Sequence, residues 1–133
     1  MIIAPTHDTI LNLELEKRIG HLTVSQDAKC YIAGVLFNFV KPTSDEIITE
    51  SVVLQFINAQ DKPEFHKFQY IADWLLWIGC VYPSTYDLHG NTYTCIAQTS
   101  YHRCWIMMNR SWPVFKELAD DIQNIVSECK KIT

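Results

Sequence analysis

Glu64-Phe65-His66-Lys67-Phe68-Gln69-Tyr70-Ile71-Ala72-Asp73-Trp74-Leu75-Leu76-Trp77-Ile78-Gly79-Cys80 is the stretch that decides the fold. After Tyr70 its apolar side chains fall on every side of a helical wheel, so a helix here has no face to offer water and must be surrounded by other elements. Asp61-Lys62-Pro63-Glu64 supplies a start signal, with an N-cap residue, a proline in the first turn and a carboxylate at the third position. Pro83 and the polar residues 84–91 supply the stop. The pattern predicts a central helix over about 64–80.

Outward from that helix, the chain reads as more helices. It has four glycines and lacks the Asn-Gly and Asp-Gly dipeptides of tight hairpins; His89-Gly90-Asn91 is its one strong turn. Before the central helix, Thr23-Val24-Ser25-Gln26 opens a helix over about 25–40, which Pro42 stops, and Thr43-Ser44-Asp45-Glu46 opens one over about 45–58. After it come helices over about 92–109 and about 112–130, the last with Ser111 as N-cap and Pro113 in its first turn. Residues 8–19, closed by Lys17-Arg18 and Gly20, carry a helical stripe of Ile10, Leu11, Leu15 and Ile19, although Leu11 to Glu16 also alternates as a strand does. The expectation is an all-α fold: one domain spanning residues 1–133, a compact bundle of about six helices around the apolar helix at 64–80.

Composition narrows the class. With 133 residues, 48% hydrophobic and 20% charged, the chain can bury roughly two thirds of its unfolded surface without metal or disulfide. The net charge is −4 and no Lys/Arg cluster exceeds a pair, which argues against a nucleic-acid-binding stripe. Five widely spaced cysteines are an odd number and fit free thiols in a reducing cytosol better than a secreted disulfide framework. Residues 1–8 show no basic region followed by an apolar stretch, and the longest apolar run, Tyr70 to Pro83, contains Asp73 and is too short to span a bilayer. These features predict a soluble cytoplasmic protein without nucleic-acid or membrane partners.

Asp73 is the first residue to examine for chemistry, because an unpaired carboxylate inside the most buried helix would cost several kcal/mol or take up a proton. Its expected partner is Arg103, Tyr101 or Ser100; the competing reading makes it a pocket carboxylate, a general base or a ligand anchor. Cys80, His89, Cys95, His102 and Cys104 are possible metal ligands, yet they lack Cys-x-x-Cys, His-x-x-x-His and Glu-x-x-His spacings, so no metal site is expected. A Cys-His-Asp set drawn from Cys80 or Cys104, His66 or His102, and Asp73 has no local nucleophile signature. No glycine-rich phosphate cradle is present, and Gly34 and Gly79 read as points of close helix approach. No catalytic residue or cofactor follows from these patterns. Tyr82, Tyr86 and Trp112 lie near helix ends, where amphipathic rings anchor partner proteins, and are the interface candidates.

Ala72-Asp73-x-x-Leu76-x-x-Gly79-x-x-Tyr82-Pro83, with Tyr93, Ala97 and Tyr101 after it, resembles a pattern in a group of uncharacterised bacterial all-helical proteins. That pattern reads Gly-Asp, apolar residues, Gly-Phe-Phe-Pro, then Tyr-Tyr-x-x-x-Gly-x-x-x-Tyr. The segment Tyr31-Ile32-Ala33-Gly34-Val35-Leu36-Phe37-Asn38-Phe39 is similar to a Tyr-Leu-x-x-Leu-Leu-x-x-Phe stretch of the same group. Two of the group's glycines are alanine here, Ala72 and Ala97, and the loop from Pro83 to Tyr93 is shorter. The resemblance implies a bacterial origin and marks Asp73, Gly79, Tyr93 and Tyr101 as signature positions, with no activity attached. The functional expectation is action through protein–protein contacts, as an adaptor or self-associating subunit. The alternative is a ligand-binding or enzymatic domain using an internal pocket around Asp73 and Tyr101.

Overall fold

The computed structural model describes residues 17, 19–38 and 52–131, and among them the protein is all-α with no strand. Its helices are α1 (Gln26–Asn38), α2 (Val52–Asp61), α3 (Phe65–Val81), α4 (Pro83–Asp87), α5 (Gly90–Met107) and α6 (Pro113–Lys131). Every other helix packs against α3, and the most extensive packing is between α3 and α5 and between α5 and α6. The segment that the sequence places at the centre is there: Leu75 through Cys80 are six consecutive buried residues. Of the expected helix over 8–19, only positions 17 and 19 are described, both helical. The first half of the expected helix at 45–58 also lies outside the described residues.

The helix starts differ from expectation in instructive ways. Asp61 does not cap α3; it is the last residue of α2, and Glu64 takes the N-cap position without a side-chain bond. Glu64 holds the first turn through its carbonyl, which accepts from Lys67 N–H, and through its carboxylate, 3.7 Å from Lys67 Nζ. Ser25, not Thr23 at the head of the expected capping box, caps α1, its Oγ accepting from Ala28 N–H at 3.1 Å. The reciprocal carboxylate comes from another helix: Glu117 of α6 accepts from the N–H and hydroxyl of Ser25. Glu128, three turns along the same side of α6, accepts from the N–H and hydroxyl of Thr23. Two carboxylates of α6 thus fix where α1 begins.

Residues 83–87, expected as loop, form the short helix α4. Pro83 has no N–H to give to α3, so that helix ends with Tyr82 N–H donating to Ile78 O at 2.8 Å, and the proline opens the next turn. α6 carries the clearest amphipathic pattern. Phe115, Leu118, Ile122, Ile125 and Cys129 recur at alternating three- and four-residue spacing and are all buried, while Lys116, Asp120, Gln123 and Asn124 face water. Burying each of the large apolar chains on that seam contributes about 1.5–3 kcal/mol.

α5 closes on two successive left-handed residues, Asn109 (φ 55°) and Arg110 (φ 59°), and Arg110 N–H reaches back to Trp105 O at 2.9 Å. Neither is glycine, and Arg110 pays about 1 kcal/mol for the conformation. Ser111, expected to cap α6, instead donates its hydroxyl to Met108 O at 2.6 Å and so completes the end of α5. The turn delivers Trp112 to the molecular surface, 49% exposed.

Candidate functional site

Asp73 lies in the middle of α3 and is partly buried. Its Oδ1 accepts two phenolic hydrogen bonds, from Tyr31 of α1 at 2.7 Å and from Tyr101 of α5 at 2.8 Å. Gln69, one turn before Asp73, donates to the Tyr31 oxygen at 3.1 Å. Three helices therefore meet at one carboxylate oxygen. Tyr101, an expected partner, is there; Tyr31 and Gln69 carry no local sequence signal that points to Asp73.

Arg103 and Ser100 do not join Asp73. Arg103 returns to α3 at a different residue, more than one turn before Asp73. Its guanidinium carbon lies 5.6 Å from the centre of the Phe68 ring instead. Ser100 is fully buried, but its hydroxyl has no hydrogen-bond partner.

Burial pushes the Asp73 carboxyl up to about 6, and the bonds from Tyr31 and Tyr101 hold it down against that. Burial, then the negative charge of Asp73, drives the Tyr31 and Tyr101 hydroxyls well above the ordinary phenol range. The phenols are locked as donors. Near neutral pH the cluster is mainly a carboxylate whose Oδ1 is committed to two hydroxyls, an arrangement that ties three helices to one oxygen.

A ring cluster extends outward from these tyrosines, with the fully buried Phe115 at its hub. Phe115 meets Tyr31 edge-on at 5.5 Å and Phe65 edge-on at 5.6 Å, and stacks with Tyr101 at 6.4 Å. On its outer side the indole of Trp112 lies parallel to it, 5.7 Å between centroids and 9° between planes. Trp112, Pro113, Val114, Tyr31, Cys30 and Asp27 line an open cleft of about 450 Å³ between α1 and the start of α6. Tyr31 thus faces both ways, its ring on the cleft wall and its hydroxyl on the buried carboxylate. A second cleft of about 360 Å³ between α5 and α6 is lined mainly by polar groups, among them Asn91, Thr94, Gln98, Gln123 and Ser127.

The remaining candidates separate. Tyr82 is 47% exposed and meets the Trp77 ring edge-on at 5.3 Å. Tyr86 does not stand at the rim as expected: α4 folds it inward, 3% exposed, with its hydroxyl 2.7 Å from Thr94 Oγ1 and its ring against Tyr93. Cys80 and Cys104 are buried while His89, Cys95 and His102 are exposed, and among the described residues no three His, Cys, Asp or Glu side chains are grouped as a metal ion requires. Burial, then Asp73, pushes the Cys104 thiol up to about 12, which makes it a poor nucleophile. His66 is exposed on the first turn of α3, with its Nε2 3.2 Å from the Glu64 carboxylate. No helix among the described residues is long and apolar enough to cross a membrane. Comparison with protein-family models, characterised proteins and solved structures gives no match, so the site rests on its own geometry.

Proposed function

We propose that this protein is a binding module that acts through protein–protein contacts, seating an apolar side chain of a partner in the cleft beside Trp112. The observation that carries the reading is the Trp112 indole itself, half exposed yet held parallel to the buried Phe115 ring on the cleft wall. A large ring fixed in place before binding loses little freedom when a partner arrives, which is why tryptophan and tyrosine dominate the centres of interfaces. The left-handed Asn109-Arg110 turn that presents it is the kind of local strain that folds retain where a surface is used. Asp27 in the cleft and the net charge of −4 favour a partner segment with a Lys or Arg next to its apolar residue. We place the protein in the reducing cytoplasm, a compartment consistent with five cysteines that form no disulfide.

A ligand pocket around Asp73 and Tyr101 has less support. Tyr101 is fully buried, and neither cleft has Asp73 or Tyr101 on its wall.

Affinity capture with the full chain from its native cells, followed by light scattering of the purified protein, tests the reading. Trp112→Ser should lose the captured partner, or the self-association, by at least tenfold, while the exposed control Asn124→Ser keeps it. If Trp112→Ser retains both the same partners and the same mass in solution, the cleft is not the contact surface.

A further inference from the structure

Away from the Trp112 cleft, the C-terminal end of α3 packs against α6 with the Val126 side chain directly over Gly79. A Cβ on Gly79 would stand 2.7 Å from Val126 Cγ2 and 3.2 Å from the Tyr86 ring, so only glycine allows this approach. The next residue of α3 and the residue one turn beyond Val126 are both cysteines. Cys80 Sγ and Cys129 Sγ are 3.0 Å apart, about 1 Å more than a covalent S–S bond. Both residues are 1% exposed. The other cysteines stand apart in kind: Cys30 and Cys95 are exposed, and the Cys104 sulfur faces the Phe65 carbonyl at 4.0 Å.

We propose that Cys80 and Cys129 form a modification site, a dithiol that hydrogen peroxide converts into a reversible disulfide joining α3 to α6. One sulfur, as its thiolate, attacks a peroxide oxygen; the O–O bond breaks, one water leaves and a sulfenic acid remains. The second thiol then attacks that sulfur, the S–O bond breaks, the S–S bond forms, and oxygen departs with the thiol proton as a second water. Two electrons pass from the two sulfurs to the peroxide. A dithiol reductant reverses the change by exchange. Oxidant reaches the pair when a helix end opens, since Cys80 lies in the last turn of α3 and Cys129 near the end of α6. The exposed Cys30 and Cys95 therefore react first, and the buried pair follows. Cytosolic disulfides of this kind are transient and sense redox state.

Treating the full chain with hydrogen peroxide, unfolding it in excess iodoacetamide and digesting it without reductant gives the decisive mass spectrum. The expected product is one peptide pair linked through Cys80 and Cys129, lighter by two hydrogens than its separate members and split by dithiothreitol. The linked chain should melt about 10 °C higher than the reduced one, because the bond closes a long loop. Cys80→Ser and Cys129→Ser should each abolish the linked peptide, while a Cys30→Ser/Cys95→Ser double variant keeps it. Recovery of Cys80 and Cys129 as separately alkylated or separately oxidised residues, at peroxide levels that consume Cys30 and Cys95, overturns the proposal. So does a link from either one to a different cysteine.

Discussion

Two levels of α3, about two turns apart, hold the bundle together by opposite means. At Asp73 the helix buries a charge, and the neighbouring helices are positioned by the directions of two phenolic hydrogen bonds. At Gly79 and Cys80 it buries no charge, and the neighbouring helix is positioned by volume, since Val126 and Tyr86 fill the space a side chain would take. The polar level is tolerant of small changes in size but not of lost partners. The dry level has the reverse sensitivity. A single helix thus obtains orientation from one end and closeness from the other, and the two are open to separate tests.

The largest effect should come from removing the ring on which the polar level is assembled. Phe115→Ala opens a cavity beneath Tyr31, Tyr101, Phe65 and Trp112, and should cost about 3–5 kcal/mol in urea unfolding. A loss below about 1 kcal/mol would show that the rings do not depend on one another.

The charge at the same level predicts a pH dependence. The Asp73 carboxyl is raised from 3.8 to about 6 in the fold, so the folded chain holds this proton where the unfolded chain has released it. Its contribution is fully present below about pH 4 and lost as pH rises through about 6, on the order of 2–3 kcal/mol in all. Asp73→Asn keeps an acceptor for both phenols without the charge. Unfolding midpoints of the two proteins from about pH 4 to about pH 7 should therefore converge or cross in favour of the variant as pH rises. A constant difference across that window would mean that the carboxylate keeps its ordinary affinity for protons.

Much of this architecture is legible in the sequence, and what is not has identifiable causes. The centrality of α3 follows from its all-round apolarity, and the seam of α6 from its spacing. Asp73 stands out as the one charged residue in the apolar part of the central helix after Tyr70, and Tyr101 is among its expected partners. Tyr31 is not, because it comes from a helix 42 residues earlier and no local pattern tells how α1 is turned against α3. Arg103 is a candidate on its charge, whereas in the fold its guanidinium lies over the Phe68 ring of α3. Residues 84–91 read as a loop in sequence, which puts Tyr86 at the rim, and the short helix that turns it inward has no periodicity of its own. The Trp112 cleft was half legible: the tryptophan marks itself, but the opposing wall belongs to α1 and is a product of the fold.

Glycine gives the cleanest separation of the dry level from the rest of the bundle. Gly34 and Gly79 both lie inside helices and look alike in sequence, each flanked by apolar residues. In the fold they differ: a Cβ on Gly34 would meet nothing within 4 Å among the described residues, while one on Gly79 would strike Val126. Alanine is the better helix former by about 1 kcal/mol, so Gly34→Ala should stabilise by about 0.5–1 kcal/mol. At Gly79 the same gain is offset by overpacking against a β-branched side chain that cannot rotate away, and Gly79→Ala should destabilise by about 1–2 kcal/mol. The pair also links the dry level to its thiols. Forcing α3 away from α6 at Gly79 should slow formation of the Cys80–Cys129 disulfide, whereas Gly34→Ala should leave it untouched. Equal disulfide rates in the two variants, measured alongside their unfolding midpoints, would show that the sulfur contact does not depend on the glycine beside it.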